Sequence, residues 1–270
     1  MKLSLAGWSL NRRFRDYAHP FPLLSFPAAA RDEFGIDAIE LNNVFFASRE
    51  DSYLETLLRK AERAGVSMVG MVADSTGDLA SCDEAERLAA VEEASLWLVV
   101  SAKLGLPWVC VNAGGRGHEE RPEALEACIR SFSDLARAAG DLGLHILIEN
   151  QWGLSSHPER TLAILTGVGA PNLHALADFG NFPASVDRYA ALERLAPHTQ
   201  MVHAKSCQFD AAGNETKIDF ARCIKILKRA KYKGYVGIEY VGEEDDHEGV
   251  LKTKALLERL LAPRARGPRQ

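Results

Sequence analysis

The sequence predicts an α/β protein, a single-domain (β/α)8 TIM barrel, and three observations carry that prediction. Short apolar or β-branched runs alternate eight times with longer amphipathic stretches along the 270 residues, the pattern of βα units feeding a parallel sheet. Eight units over this length average about 34 residues each, the usual repeat of a closed barrel. Four of the later runs end in a carboxylate or an imidazole, and the C-terminal ends of barrel strands are where active sites lie.

The expected strands, in order, are Leu3 to Trp8, Ala38 to Asn42, Ser67 to Ala73, Trp108 to Asn112, His145 to Glu149, His174 to Asp178, Met201 to Ala204 and Val236 to Tyr240. Between them, apolar residues recur at three- and four-residue spacing, most clearly over Tyr53 to Ala64, Ala85 to Leu104, Glu123 to Leu142 and Asp219 to Ala230. Gly65, Gly105 and Gly143 follow three of these stretches as helix C-caps would. An open doubly wound sheet is the alternative, but no G-x-G-x-x-G follows the first strand. Gly114-Gly115-Arg116-Gly117 follows the fourth and lacks the P-loop lysine-serine pair, so it is read as a flexible loop. The barrel is assigned to residues 1–262, and 263–270 to a basic, flexible C-terminal tail.

Composition narrows the function classes. With 47% hydrophobic and 26% charged residues and a formal charge of -5, the chain has the balance of an ordinary soluble domain. It lacks the basic footprint of a nucleic-acid binder, and no apolar run approaches the roughly 18 residues of a membrane span. Five scattered cysteines without a C-x-x-C pair suggest neither a disulfide framework nor a zinc knuckle. The N-terminus MKLSLAGWSLNRRF puts its basic cluster after a short, broken apolar stretch, the reverse of signal-peptide order. A cytoplasmic protein with a small-molecule partner is expected, and the sequence leaves room for a homo-oligomer.

Glu149, Asp178, His203 and Glu239 close four consecutive strands, five to eight. Turning Glu149 inward turns Ile146 and Ile148 outward against the helices, and Glu239 does the same for Ile238. Three carboxylates and an imidazole sharing a dry pocket repel one another without a cation, so the set predicts one divalent metal ion. Oxygen-rich ligation with a single nitrogen suits Mn²⁺, the expected ion, with Mg²⁺, Co²⁺ and Zn²⁺ as alternatives.

These residues carry a family resemblance. Ile148-Glu149-Asn150 followed by Trp152-Gly153-Leu154-Ser155-Ser156, then Asp178-Phe179-Gly180-Asn181, Val202-His203-Ala204-Lys205 and Ile238-Glu239-Tyr240, together with spacings of 29, 25 and 36 residues, are similar to the sugar phosphate isomerase/epimerase group of xylose-isomerase-like barrels. The resemblance covers nearly the whole chain. It implies that Glu149 and Glu239 are ligands that double as acid/base groups, and that Asp178 and His203 are ligands only.

The chemistry asks for such a set in its own right. Moving a proton on the carbon beside a carbonyl produces an enediolate, which a metal stabilises as a Lewis acid. A carboxylate on either face then gives epimerisation or isomerisation, and loss of a β-hydroxyl from the same intermediate makes a dehydratase or lyase, for example on a keto-inositol or 3-keto-glycoside. The expected activity is an isomerase or epimerase of a small sugar, keto-sugar or polyol. A lyase and a non-catalytic carbohydrate-binding barrel are the alternatives.

Where ketohexose epimerases of the resembled family carry a second glutamate, a histidine and an arginine, this chain has Ser155, Asn181 and Phe209, and Gln151 replaces a histidine that many relatives carry. The histidines of the endonuclease branch are also missing, with Met71, Ala73 and Asn112 in those regions. Lys205, two residues past His203, faces the same way and is a candidate for binding the substrate or its charge. Asn181, Trp8, Asn112 and Trp152 are the other substrate-binding candidates, and Glu40 and Asn42 could line the same mouth. His145 and His174 lie four residues deeper and are expected in the core.

Overall fold

The computed structural model describes residues 1–262; the expected tail lies outside the described residues. Eight strands close one parallel barrel in chain order: β1 (Lys2–Ala6), β2 (Ala38–Asn42), β3 (Ser67–Ala73), β4 (Trp108–Val111), β5 (His145–Glu149), β6 (Leu173–Asp178), β7 (Thr199–Ser206) and β8 (Tyr235–Tyr240). The helices are α1 (Asn11–Phe14), α2 (Phe26–Asp32), α3 (Asp51–Ala64), α4 (Glu84–Lys103), α5 (Pro122–Asp141), α6 (Pro158–Val168), α7 (Arg188–Leu195), α8 (Phe220–Arg229) and α9 (Asp246–Leu261). No helix among the described residues is long and apolar enough to cross a membrane.

Strand ends lie within two residues of those expected, and the differences at β1, β4 and β7 bear on the site. The first strand stops at Ala6, because Gly7–Leu10 turns into a 3-10 helix whose Ser9 hydroxyl donates to Ile238 O and accepts from Tyr240 N, each at 2.9 Å. That hydroxyl takes the place of a strand partner at the β1–β8 seam. The fourth strand ends at Val111, one residue before Asn112, and the seventh runs from Thr199 to Ser206 on both sides of the expected segment. The three expected helix-capping glycines hold: Gly65, Gly105 and Gly143 take φ of 63°, 67° and 71°.

Alternation along the strands sorts the core into two shells. Ile146, Ile148, Ala177, Val202, Val236 and Ile238 pack with the helices in the main cluster, whereas Val72, Trp108, Cys110, Leu147, Leu176 and Met201 fill the barrel's interior. Trp108 fills that interior only because Gly70 faces it; a Cβ there would stand 2.0 Å from the indole. Val72, Cys110, Leu147, Leu176 and Met201 each lie two positions below a polar residue at the barrel's C-terminal end, with Trp108 one layer deeper, so an apolar plug, with about 1.5–3 kcal/mol per buried side chain, forms the floor of the site. His145 and His174 lie beneath it, half-buried and paired with each other at 3.0 Å (Nδ1 to Nε2).

Candidate metal centre

The four expected ligands converge. Glu149, Asp178, His203 and Glu239 are all buried, and one ligand-competent atom from each lies within 4.8 Å of the others. His203 Nδ1 stands 3.1 Å from Glu149 Oε1 and 3.8 Å from Glu239 Oε2. Local sequence holds the acids in place. The Asn150 side chain accepts from Asp178 N at 2.8 Å and donates to Asp178 O at 3.0 Å, which ties the ends of β5 and β6 together and explains the asparagine directly after Glu149. Asp178 Oδ1 accepts from Gly180 N and Asn181 N at 2.7 and 2.6 Å, fixing the carboxylate and leaving Oδ2 free to point into the cluster.

Glu40 adds a fourth carboxylate to the cluster. Its Oε2 lies 2.8 Å from His203 Nε2 and its Oε1 accepts from Ser4 Oγ at 2.7 Å. It fits because Gly237 offers no Cβ, which would stand 2.3 Å from Glu40 Oε1. A carboxylate behind a ligating imidazole fixes the tautomer that presents the other nitrogen to a metal. Glu40→Gln is therefore expected to weaken Mn²⁺ binding about tenfold, the low end for such partners. Calorimetric titration checks it, and an unchanged Kd would remove Glu40 from the site.

Electrostatics agree with a cation site. Burial pushes the Asp178 carboxyl well above the usual carboxylate range, against the pull of Lys205. Burial acts upward on Glu239 as well, but Lys205 and His203 outweigh it and hold that group below its ordinary value. For His203, burial opposes the charged form while Glu40 and Glu149 favour it more strongly, so the imidazole is held protonated. Asp178 Oδ2 is buried without a hydrogen-bond partner, and Glu239 Oε2 is buried with only the ammonium of Lys205 facing it. These two carboxylate oxygens beside an imidazole and a third carboxylate fit the donor set of a divalent ion with oxygen preference.

The remaining candidates divide between two spaces. A cavity of about 90 Å³ at the cluster is lined by Trp8, Glu40, Asn42, Asp74, Gln151 and Lys205 together with three of the four clustered residues. Lys205 Nζ is committed to Glu239 Oε2 at 3.0 Å, Asp178 Oδ2 at 3.9 Å and Asn181 Oδ1 at 2.7 Å. Asn181 also donates to Glu149 Oε1 at 3.3 Å, so it orients the cluster from the rim. Asn112 reaches the cavity through Asp74, donating to Oδ1 at 3.2 Å. Trp152 lines a neighbouring groove of about 580 Å³, under Arg116, and Gln151 is common to both spaces.

Asp74 was not singled out from the sequence, although Val72-Ala73-Asp74 repeats the carboxylate-after-strand pattern of β5, β6 and β8. Burial first, then Glu149 and Glu239, push its carboxyl up to about 6, against hydrogen bonds from Asn112 and Asn42.

The model of the xylose isomerase-like TIM barrel family matches residues 27–260. The chain belongs to this family. Solved structures share the fold at low identity. A D-psicose 3-epimerase crystallised in the presence of D-fructose is 16% identical with a TM-score of 0.79, over 97% of this chain and 99% of that one. The 3-keto-D-glucoside 4-epimerase of E. coli is 16% identical with a TM-score of 0.75, over 96% and 99%. The probable 3-DHS dehydratase of petrobactin synthesis from Bacillus anthracis is 16% identical with a TM-score of 0.71, over 96% and 100%. No curated protein sequence matches the chain. Within this xylose isomerase-like barrel, the clustered acids and histidine lie at the C-terminal ends of β5 to β8.

Proposed function

We propose that this barrel is a divalent-metal-dependent isomerase or epimerase of a small sugar, keto-sugar or polyol. The observation that carries the reading is the buried cluster itself, in which two glutamates on β5 and β8 share one site with Asp178 and His203. A divalent ion held there, Mn²⁺ in this reading, supplies Lewis acidity to the substrate's carbonyl and neighbouring hydroxyl oxygens. Glu149 and Glu239 are the proton carriers: one takes the proton from the carbon beside the carbonyl and the other returns it to the same or the adjacent carbon. Asp178 and His203 hold the ion, and Lys205, fixed by Glu239 and Asn181, adds a positive charge where the enediolate forms. Trp8 offers an aromatic face at the mouth for a sugar ring. A cytoplasmic setting belongs to the same proposal and is supported by the five cysteines standing as free thiols.

The test is a solvent-deuterium exchange screen of the Mn²⁺-loaded protein across keto-sugars and keto-inositols. One deuterium beside the carbonyl, without loss of mass, is the expected outcome. Loss of water or of an aglycone would replace it with the lyase reading. Tight binding with no exchange at any carbon would make the protein a carbohydrate-binding barrel.

A further inference from the structure

The wall of the cavity opposite β5 to β8 carries a carboxylate held as firmly as the ligands. Asn43, just after β2, accepts from Asp74 N and donates to Asp74 O, both at 2.8 Å. This is the same paired amide clasp that Asn150, just after β5, applies to Asp178. Asn112 Nδ2 then orients the Asp74 carboxylate from the side at 3.2 Å. An anchored acid lining a cavity beside other acids brings unfavourable charge; Asn43 grips only its backbone, which leaves the carboxylate to Asn112, Asn42 and the cavity.

Charge in the cavity is one-sided. Glu40, Asp74, Glu149, Asp178 and Glu239 face Lys205 and His203. Five carboxylates against Lys205 and one divalent ion, with His203 neutral as a ligand, leave a net charge of -2. Lys205 is already paired with Glu239 and Asp178, and both His203 nitrogens face carboxylates. In the adjoining groove Arg116 stacks over the Trp152 ring, with Glu119 and Glu120 on the same lining. Among the described residues, no cation lining the cavity itself is free to receive a phosphate or a carboxylate. The hydrogen-bonding surface presented to a ligand by Asp74, Asn42 and Gln151, whose buried Oε1 has no partner, is rich in acceptors, the complement of hydroxyl donors.

We propose that Asp74 is a specificity-determining residue: its carboxylate accepts hydroxyl hydrogen bonds from an uncharged polyhydroxy ketone and turns away phosphorylated and carboxylated sugars. The proposal rests on the metal-dependent ketone chemistry above and names its substrate class. Leaving a built acceptor without its hydroxyl costs discrimination, and adding an anion beside it costs more.

The experiment measures saturation-transfer NMR binding and deuterium exchange in parallel for D-fructose, D-psicose and 2-keto-myo-inositol, and for D-fructose 1-phosphate and 6-phosphate, with wild type and Asp74→Asn. Uncharged ketones are expected to bind wild type at least tenfold more tightly than the phosphates. Asp74→Asn should narrow that preference severalfold while weakening the uncharged ketones. A phosphate binding as tightly as its uncharged parent, no binding by any uncharged ketone, or a preference unmoved in Asp74→Asn would overturn the proposal. The two arms separate the failures. Selective binding without exchange refutes the proton-transfer chemistry and leaves Asp74's role intact, whereas exchange into phosphates and uncharged ketones alike refutes the role and leaves the chemistry.

Discussion

Glu149→Gln and Glu239→Gln are each expected to slow deuterium incorporation beside the substrate carbonyl by about 10²–10⁴-fold, the usual contribution of a positioned acid/base group. Glutamine keeps the volume and one carbonyl oxygen of the side chain but has no site that takes up a proton near neutral pH. Glutamine fills the same space, so the fold should persist, although Glu239→Gln gives up the attraction of Lys205 and His203. An unchanged far-ultraviolet circular dichroism spectrum and a cooperative thermal transition would confirm that the loss is chemical. Because Gln retains an oxygen that can ligate, metal affinity should fall much less than exchange. Undiminished exchange in both variants contradicts the assignment of these glutamates as proton carriers.

Metal binding is expected to weaken steeply as pH falls. Asp178, raised by burial, and His203, held protonated by Glu40 and Glu149 in spite of burial, both carry protons that a cation must displace. Protons and metal therefore compete for the same atoms, so affinity falls with falling pH and rises until both groups ionise without help. Each displaced proton makes binding about tenfold weaker per unit of pH, and the two together about 100-fold. Mn²⁺ titrations at pH 6, 7 and 8, in buffers of different ionisation enthalpy, give both the slope and the protons released. A flat profile contradicts the protonation assigned to Asp178 and His203.

The barrel and its ligands are legible in the sequence because strands on a parallel barrel have a fixed direction and a period of two. A strand ending Ile146-Leu147-Ile148-Glu149 has only one arrangement that buries its isoleucines against helices, and it puts Leu147 and Glu149 inside. The same reasoning places Asp178, His203 and Glu239. It stops at groups whose role depends on partners far along the chain. Glu40 is buried in the middle of its strand, but its task is set by His203, 163 residues away, and by Gly237 leaving it room. Asp74 lies one residue past an apolar run, where a lone aspartate reads as a helix cap or turn residue until Asn43 and Asn112 are seen to hold it. Lys205 faces the expected way, yet sequence could not say that Glu239, Asp178 and Asn181 already occupy it. Trp152 follows the motif closely in sequence but belongs to the adjoining groove, because Gly153 turns the chain at φ 66°.

The central claim is that Glu149, Asp178, His203 and Glu239 hold one divalent ion, and Mn²⁺ binding stoichiometry tests it most directly. Titration of the chelator-treated protein at pH 8, followed by elemental analysis after buffer exchange, should give one Mn²⁺ per chain for wild type and none retained for Asp178→Ala or His203→Ala. A wild-type chain that retains no divalent ion, or variants that retain it as well as wild type does, would contradict it.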